Sequence, residues 1–351
     1  MQIQSENIFP LMSKAGIKRD GTVFEGPYYT DGEWVRFQRG FPRKMGGYRE
    51  MSDNFTGIVR GTNVYTRQGQ VFVHAGSANV LEQQIFDNNG FGAGLIDRTP
   101  AGFTTDPANM WQFGIIFDNV SSATKILAHG APNVVNIDSD TDRPVYIGDA
   151  TDSAALTAIA GVSVSGGVSI LHPYAFAFGS DGFLQWSVPN EPADFAGIGS
   201  GSARVTGGKI VKSIPVRGGA ATAPAGLFWA TDSLVRSTFV GGSAIFNFDT
   251  ITEGYSILSS EGVIEYDGIY YWAGLDRFLF YNGTIRELPN QLNLNFFYDN
   301  LNFEQRQKVW AFKVPRWGEI WWLFPKGTAT ECNHAVIFNV REGTWYDTFR
   351  K

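Results

Sequence analysis

Apolar and polar positions along this chain change over in short runs with a period near two, and glycine-rich breaks separate the runs. That period belongs to strands, whose successive side chains point to opposite faces. The pattern is clearest between Thr252 and Lys351. Gly268-Ile-Tyr-Tyr-Trp-Ala-Gly274 and Arg277-Phe-Leu-Phe-Tyr281 are followed by Asn282-Gly283 and Thr284-Ile-Arg-Glu-Leu288. Asn-Gly between two β-rich runs predicts a hairpin whose two turn residues both accept positive φ. Val309–Val314, Glu319–Phe324, Ala335–Val340 and Thr344–Asp347 come next, with turns at Arg316-Trp317-Gly318 and Arg341-Glu342-Gly343. Four short strands in up-and-down order over roughly 40 residues are the unit of one propeller blade.

Upstream the same pattern predicts Ile58–Tyr65, Gln70–His74 and Asn79–Phe86, then Met110–Phe117, Ala123–Ala128, Asn133–Ile137 and Pro144–Ile147. Ala158–Val164, Ser169–Phe178 and Phe183–Val188 follow, then Lys209–Val216, Gly226–Ala230, Ser233–Val240 and Ala244–Phe248, and Val263–Tyr266 leads into the stretch above. The expected fold is all-β, a β-propeller of about six blades (range roughly five to eight). Residues 1–55 form an N-terminal arm and a small strand-loop cap, and residues 56–351 form the propeller body. One helix is expected at Asn302–Lys308, where Asn302 and Gln305 have the spacing of a capping box. Within the first part, the stretch from Thr22 to Glu50 is dense in glycine and aromatics, and fits either a cap on the body or a motif that meets a neighbouring subunit.

Composition narrows the function. Aromatics at 15 % suit pleated faces, and 43 % hydrophobic residues are ample for a packed core. The net charge of −6 argues against a binder that works by neutralising phosphates, though not against a wall that nucleic acid slides past. With Cys332 as the one cysteine, no internal disulfide is available, and folding in a reducing cytoplasm is expected. The opening Met1-Gln-Ile-Gln-Ser-Glu6 lacks a basic region and an apolar core, so no signal peptide is expected. No apolar run approaches the roughly 18 residues of a membrane span. Asn54-Phe-Thr56, Asn119-Val-Ser121 and Asn282-Gly-Thr284 match the glycosylation triplet, a pattern common by chance.

Candidate chemistry is sparse. His74, His129, His172 and His334 are scattered, and Cys332-Asn-His334 is the one Cys/His proximity, which falls short of a zinc set. The loop Asp138-Ser-Asp-Thr-Asp142 is the best metal candidate, since alternating carboxylates Asp138, Asp140 and Asp142 suit Ca²⁺, with Asp149 at the twelfth position of an EF-hand count. Arg143 stands where that loop needs glycine, and the flanks are strands, so a solvated acidic loop competes with it. There is no Gly-x-Ser-x-Gly. Gly90-Phe-Gly-Ala-Gly94 is followed by Leu95 in place of the third glycine of a dinucleotide site. Asp181-Gly-Phe-Leu-Gln-Trp186 is faintly similar to the Asp-box turn of sialidase-like propellers, which keeps a carbohydrate-binding or glycoside-cleaving propeller as the alternative. No cofactor is expected.

Several phrases in one order resemble a known family. They are Gly26-Pro-Tyr-Tyr-Thr-Asp-Gly-Glu-Trp-Val-Arg-Phe37 with Pro42-Arg-Lys-Met-Gly-Gly-Tyr-Arg49, then Trp186-Ser-Val-Pro-Asn-Glu-Pro-Ala-Asp-Phe195. Val240-Gly-Gly-Ser-Ala-Ile-Phe246, Glu319-Ile-Trp-Trp-Leu-Phe-Pro325 and Phe338-Asn-Val-Arg-Glu-Gly-Thr-Trp345 complete the series. Together they resemble the tail nozzle, or tail hub, of short-tailed phages, also called packaged-DNA stabilisation proteins. The resemblance runs over most of residues 22–351. It implies a non-enzymatic virion protein, made in the host cytoplasm, that assembles as a homohexamer below the portal and adaptor rings. Its partners would be the adaptor (head-to-tail connector), tail fibres or tailspikes, and double-stranded genomic DNA passing through the lumen without sequence-specific contact.

Overall fold

The computed structural model describes residues 13–349 except 23, 48–49, 51–52, 88, 91, 93, 133–140 and 217–223. Six four-stranded antiparallel sheets follow one another along the chain, each a simple meander, and form a six-bladed β-propeller. Blade 1 is Thr62–Arg67, Gln70–Gly76, Leu81–Phe86 and Ile96–Asp97. Blade 2 is Asn109–Asp118, Ala123–Pro132, Arg143–Asp149 and Thr157–Val164. Blade 3 is Gly167–Leu171, Tyr174–Phe178, Phe183–Trp186 and Gly201–Arg204, and blade 4 is Ile210–Pro215, Ala225–Ala230, Ser233–Gly241 and Ile245–Glu253. Blade 5 is Val263–Tyr266, Ile269–Ala273, Phe278–Tyr281 and Ile285–Glu287, and blade 6 is Trp310–Val314, Glu319–Phe324, His334–Asn339 and Thr344–Phe349. The first strands of blades 1, 2, 3 and 4 lie against one another in order, as do those of blades 5 and 6.

The second strands of blades 3, 4 and 5 are apolar without a break because both of their faces are buried between blades. In blade 5, Tyr270 and Trp272 pack toward blade 4, while Tyr271 and Ala273 pack toward blade 6. In blade 4, Leu227 and Trp229 face blade 5, and Phe228 and Ala230 face blade 3. Trp321 and Trp322 are adjacent in sequence and serve two different cores. A one-residue slip of register would therefore exchange the two faces of a blade. Close approach sets some positions too. A Cβ at Gly76 would run into the Trp111 indole, so blade 2 reaches blade 1 only over glycine there.

Residues 13–47 build the cap. Lys14–Ile17 pairs in parallel with Tyr28–Tyr29, and Val35–Gln38 pairs with Phe41–Lys44. Ile17, Phe37 and Met45 share a core with Trp321, Ile337 and Tyr346, so the cap covers the face of blade 6 that looks away from blade 5. Polar ties lock it there. Arg36 pairs with the fully buried Glu319 at 2.9 Å, and Glu319 also accepts from Trp321 Nε1 (2.9 Å) and the Tyr346 hydroxyl (2.8 Å). Arg19 forks onto both Asp347 oxygens at 3.0 Å. The Asp20 carboxylate accepts from Asn295 N and Phe296 N, capping helix α1 (Leu294–Asn300), whose own Asn293 makes no side-chain cap.

Several expectations are corrected. Ser169–Phe178 is a hairpin that turns at His172-Pro173, not one strand. Asn302–Lys308 carries a 3₁₀ helix over Phe303–Lys308 without the capping box, and the Asn302 amide donates to Ala329 O instead. At Asn282-Gly283 only the glycine takes positive φ (108°). The expected strand Asn133–Ile137 lies outside the described residues, apart from which the blade 2 strand Ala123–Pro132 runs longer than expected.

Replacing Glu319 by alanine would leave the Arg36 guanidinium buried without its anion. Chemical denaturation of Glu319→Ala is expected to show a loss of about 3–5 kcal/mol. A loss below about 1 kcal/mol would mean that apolar packing alone holds the cap.

Candidate functional site

Buried apolar clusters join blades 1 and 2, 2 and 3, 3 and 4, 4 and 5, and 5 and 6. Among the described residues none joins blade 6 to blade 1. No strand is exchanged there either, since blade 1 is built wholly from residues 62–97 and blade 6 from 310–349. The cap occupies the blade 6 side of this seam. On the blade 1 side, pairing register places Val64, Val73 and Glu82 on the face turned from blade 2. Val64 is 62 % exposed, and Glu82 is covered by Thr56, which donates to it from both N and Oγ1 at 2.7 Å.

Between blade 6, the cap and the segment leading into blade 1 lies a cleft of about 780 Å³. Its walls are aromatic and aliphatic: Trp34 from the cap, Phe55 and Ile58 from the segment before blade 1, and Trp310, Phe312 and Phe349 from blade 6. Phe312 and Trp321 stack at 5.4 Å behind the wall. Arg60 and Lys308 bring positive charge, and both reach one oxygen of Glu331, at 2.7 and 2.8 Å. Arg60 also donates to Pro107 O, and Lys308 to Thr330 O. This three-residue bridge is the polar closure of the ring. Cys332 donates from Sγ to Lys308 O at 3.1 Å, beside it. Burial, with Lys326 and Arg19 nearby, lowers the pKa of His334, so its ring in the wall is neutral at pH 7.

Trp34 sits at φ 55°, a conformation that costs a bulky residue of order 1–3 kcal/mol. The surrounding bonds hold it there. Trp34 N donates to Thr348 Oγ1, and Met45 N donates to Trp34 O at 2.6 Å. Strain of this kind is concentrated where the surrounding structure fixes a side chain for a task, and here the side chain is a wall of the cleft.

The residues singled out in the sequence do not meet at this place, with one exception. Asp138 and Asp140 lie outside the described residues, and Asp142 is exposed at the start of a blade 2 strand. Asp149 is engaged locally, accepting from Thr151 N and Oγ1 at 3.0 Å. No group of three His, Cys, Asp or Glu suited to a metal occurs among the described residues. Asp181 is in an exposed turn at φ 53°, paired with Arg204 at 3.2 Å. His74 bonds Gln83 at 3.0 Å, and His129 bonds Val164 O at 2.9 Å, both deep between blades. Cys332 and His334 are the exception, since both line the cleft. Arg60, Lys308 and Glu331 carried no sequence signal, because their proximity exists only once the ring closes.

No protein-family model matches the chain, and no curated protein does. Among solved structures it is similar to a nidogen/laminin complex, with TM-score 0.41 and 13 % identity over 81 % of this chain and 94 % of that one. It is similar to YCF48 bound to D1 peptide (TM-score 0.43, 11 % identity, 85 % and 84 % covered) and to BamB from Moraxella catarrhalis (0.40, 11 %, 84 % and 76 %). Similarity at this level carries no functional argument, and the propeller stands on its own strand order.

Two outcomes test the seam and the buried rings. Glu331→Gln is expected to cost about 1–2 kcal/mol and to raise amide hydrogen exchange in Thr62–Arg67 and Trp310–Val314 ahead of blades 3 and 4. A uniform rise across all blades would contradict a weak seam. Burial holds His74 and His129 at about 4, against 6.5 for an exposed histidine. The unfolded chain therefore takes up protons below pH 6.5 that the folded chain refuses until about 4. Stability should fall as pH drops through that window, by about 1.4 kcal/mol per pH unit for each histidine at the steepest. Urea midpoints across the window, with and without His129→Gln, read the slope.

Proposed function

We propose that this chain is a structural virion protein, the subunit of a tail nozzle or hub of a short-tailed phage. It assembles as a hexameric ring that extends the DNA channel and helps retain and release the genome. The observation that carries the reading is where the resembling phrases lie. Three of them, separated by nearly the length of the chain, interlock at one junction. Arg36 of the first pairs with Glu319 of the fourth, and Asn339 of the fifth donates to Phe37 O at 3.2 Å. Glu342 of the fifth accepts from Arg39 N and Gly40 N, at 2.6 and 2.9 Å, in the turn that links the two parts of the first. These three phrases form one cap-and-blade unit, while the second and third lie in blades 3 and 4.

Charge is consistent with a channel wall. Six copies carry about −36 (six times −6), which repels phosphates and lets DNA slide. A cyclic ring also needs two different faces on each subunit. Exposed apolar side chains at separate places, such as Val120 and Ile198 on blades 2 and 3 and Phe41 on the cap, provide surfaces of that kind.

Immunogold labelling of released particles, viewed by electron microscopy, tests the reading. Label at the lower end of a short tail is expected, together with a ring of about 232 kDa (six times 38.7 kDa) in solution or on particles. Intact particles without label would overturn the virion assignment. Label on side appendages would favour the carbohydrate-binding alternative instead.

A further inference from the structure

We infer that the cleft between blade 6 and the segment leading into blade 1 is a docking site for an extended segment of a partner protein, one in which aromatic or branched apolar side chains stand next to a carboxylate. The apolar half of this chemistry comes from Ile58, Trp310, Phe312 and Phe349, which line the cleft. The volume of about 780 Å³ falls within the range of pockets that enclose a few side chains, roughly 300–1,000 Å³.

The acidic half follows from the charge count. Arg60 and Lys308 are 7 % and 8 % exposed and share a single carboxylate oxygen of Glu331. Two buried cations on one anion leave a unit of positive charge where water is scarce. Arg60 Nε has no hydrogen-bond partner among the described residues, which is an uncommon state for a buried donor. The neutral His334 ring adds no charge to the balance. A second carboxylate arriving with an apolar side chain would neutralise the site and cover the walls in one step. Trp34, held at positive φ by Thr348 and Met45, presents a wall that is already in place before the segment arrives.

The test is a titration of the full chain, followed by tryptophan fluorescence, with two peptides: acetyl-Gly-Phe-Asp-Phe-Gly-amide and its counterpart with asparagine for aspartate. The acidic peptide is expected to bind about tenfold tighter or more. Lys308→Gln should remove most of that difference, and Ile58→Asp, a change at a half-exposed rim position, should weaken both peptides. Equal affinity for the two peptides would overturn the inference. So would full affinity in Ile58→Asp, a variant that decides the matter even if Lys308→Gln fails to fold. Binding of 8-anilinonaphthalene-1-sulfonate without binding of either peptide would give the cleft to small amphiphilic anions and overturn the protein segment. None of these outcomes turns on whether the chain is found in virions.

Discussion

A propeller is a ring made from a linear chain, and its first and last blades have to be joined by something. Among the described residues no strand crosses the joint here. Five junctions are sheet against sheet, with Trp111, Phe228, Trp272 and Trp322 among the side chains that fill them. The sixth is closed by the cap on one side, the Thr56 segment on the other, and the Arg60–Glu331–Lys308 bridge across the gap. The aromatic cleft, the strained Trp34 and the interlocked phrases all lie at this joint. The position of these three features thus follows from one topological fact.

The cap gives the joint an unexpected energetic character. Its attachment to blade 6 is partly ionic and deeply buried, and each charge in it is used more than once. Glu319 serves an arginine, an indole and a phenol, and burial together with that carboxylate pushes the Tyr346 hydroxyl pKa up. Burial raises the Asp347 carboxyl, while its forked contact with Arg19 opposes the shift. Removing one member of such a set leaves the others buried and unpaired, so the set fixes the geometry of the cap more than it adds net stability.

Much of the fold was legible in the sequence because both faces of a blade are buried. Continuous apolar runs broken by glycine marked the blade 6 strands to within a residue or two, and Gly318 and Gly343 do take the positive φ their turns require. The outer strands Ile96–Asp97 and Gly201–Arg204 were missed, being short and poor in apolar residues. Helix α1 was missed because Leu294, Phe296 and Phe297 carry no polar face of helical period long enough to register, and its cap, Asp20, lies 275 residues away. The Ser169–Phe178 hairpin was hidden by a His172-Pro173 turn without glycine or asparagine. The cleft itself was not legible at all. Its charges and walls come from stretches as far apart as Trp34 and Phe349, and only ring closure brings them together.

The fork from Arg19 to Asp347 spans 328 residues. At ribosomal rates of roughly 5–20 residues per second, the partner of an early-made cap emerges tens of seconds after it. During that time the face bearing Phe37 and Met45 has nothing native to rest on, and the loop that must close over it is nearly the whole protein. The cap is therefore among the earliest parts to be made and among the latest to find its place. A polypeptide released before blade 6 would be more than a shorter propeller: it would display a free apolar hairpin, a ready signal by which a cell could distinguish finished copies from unfinished ones.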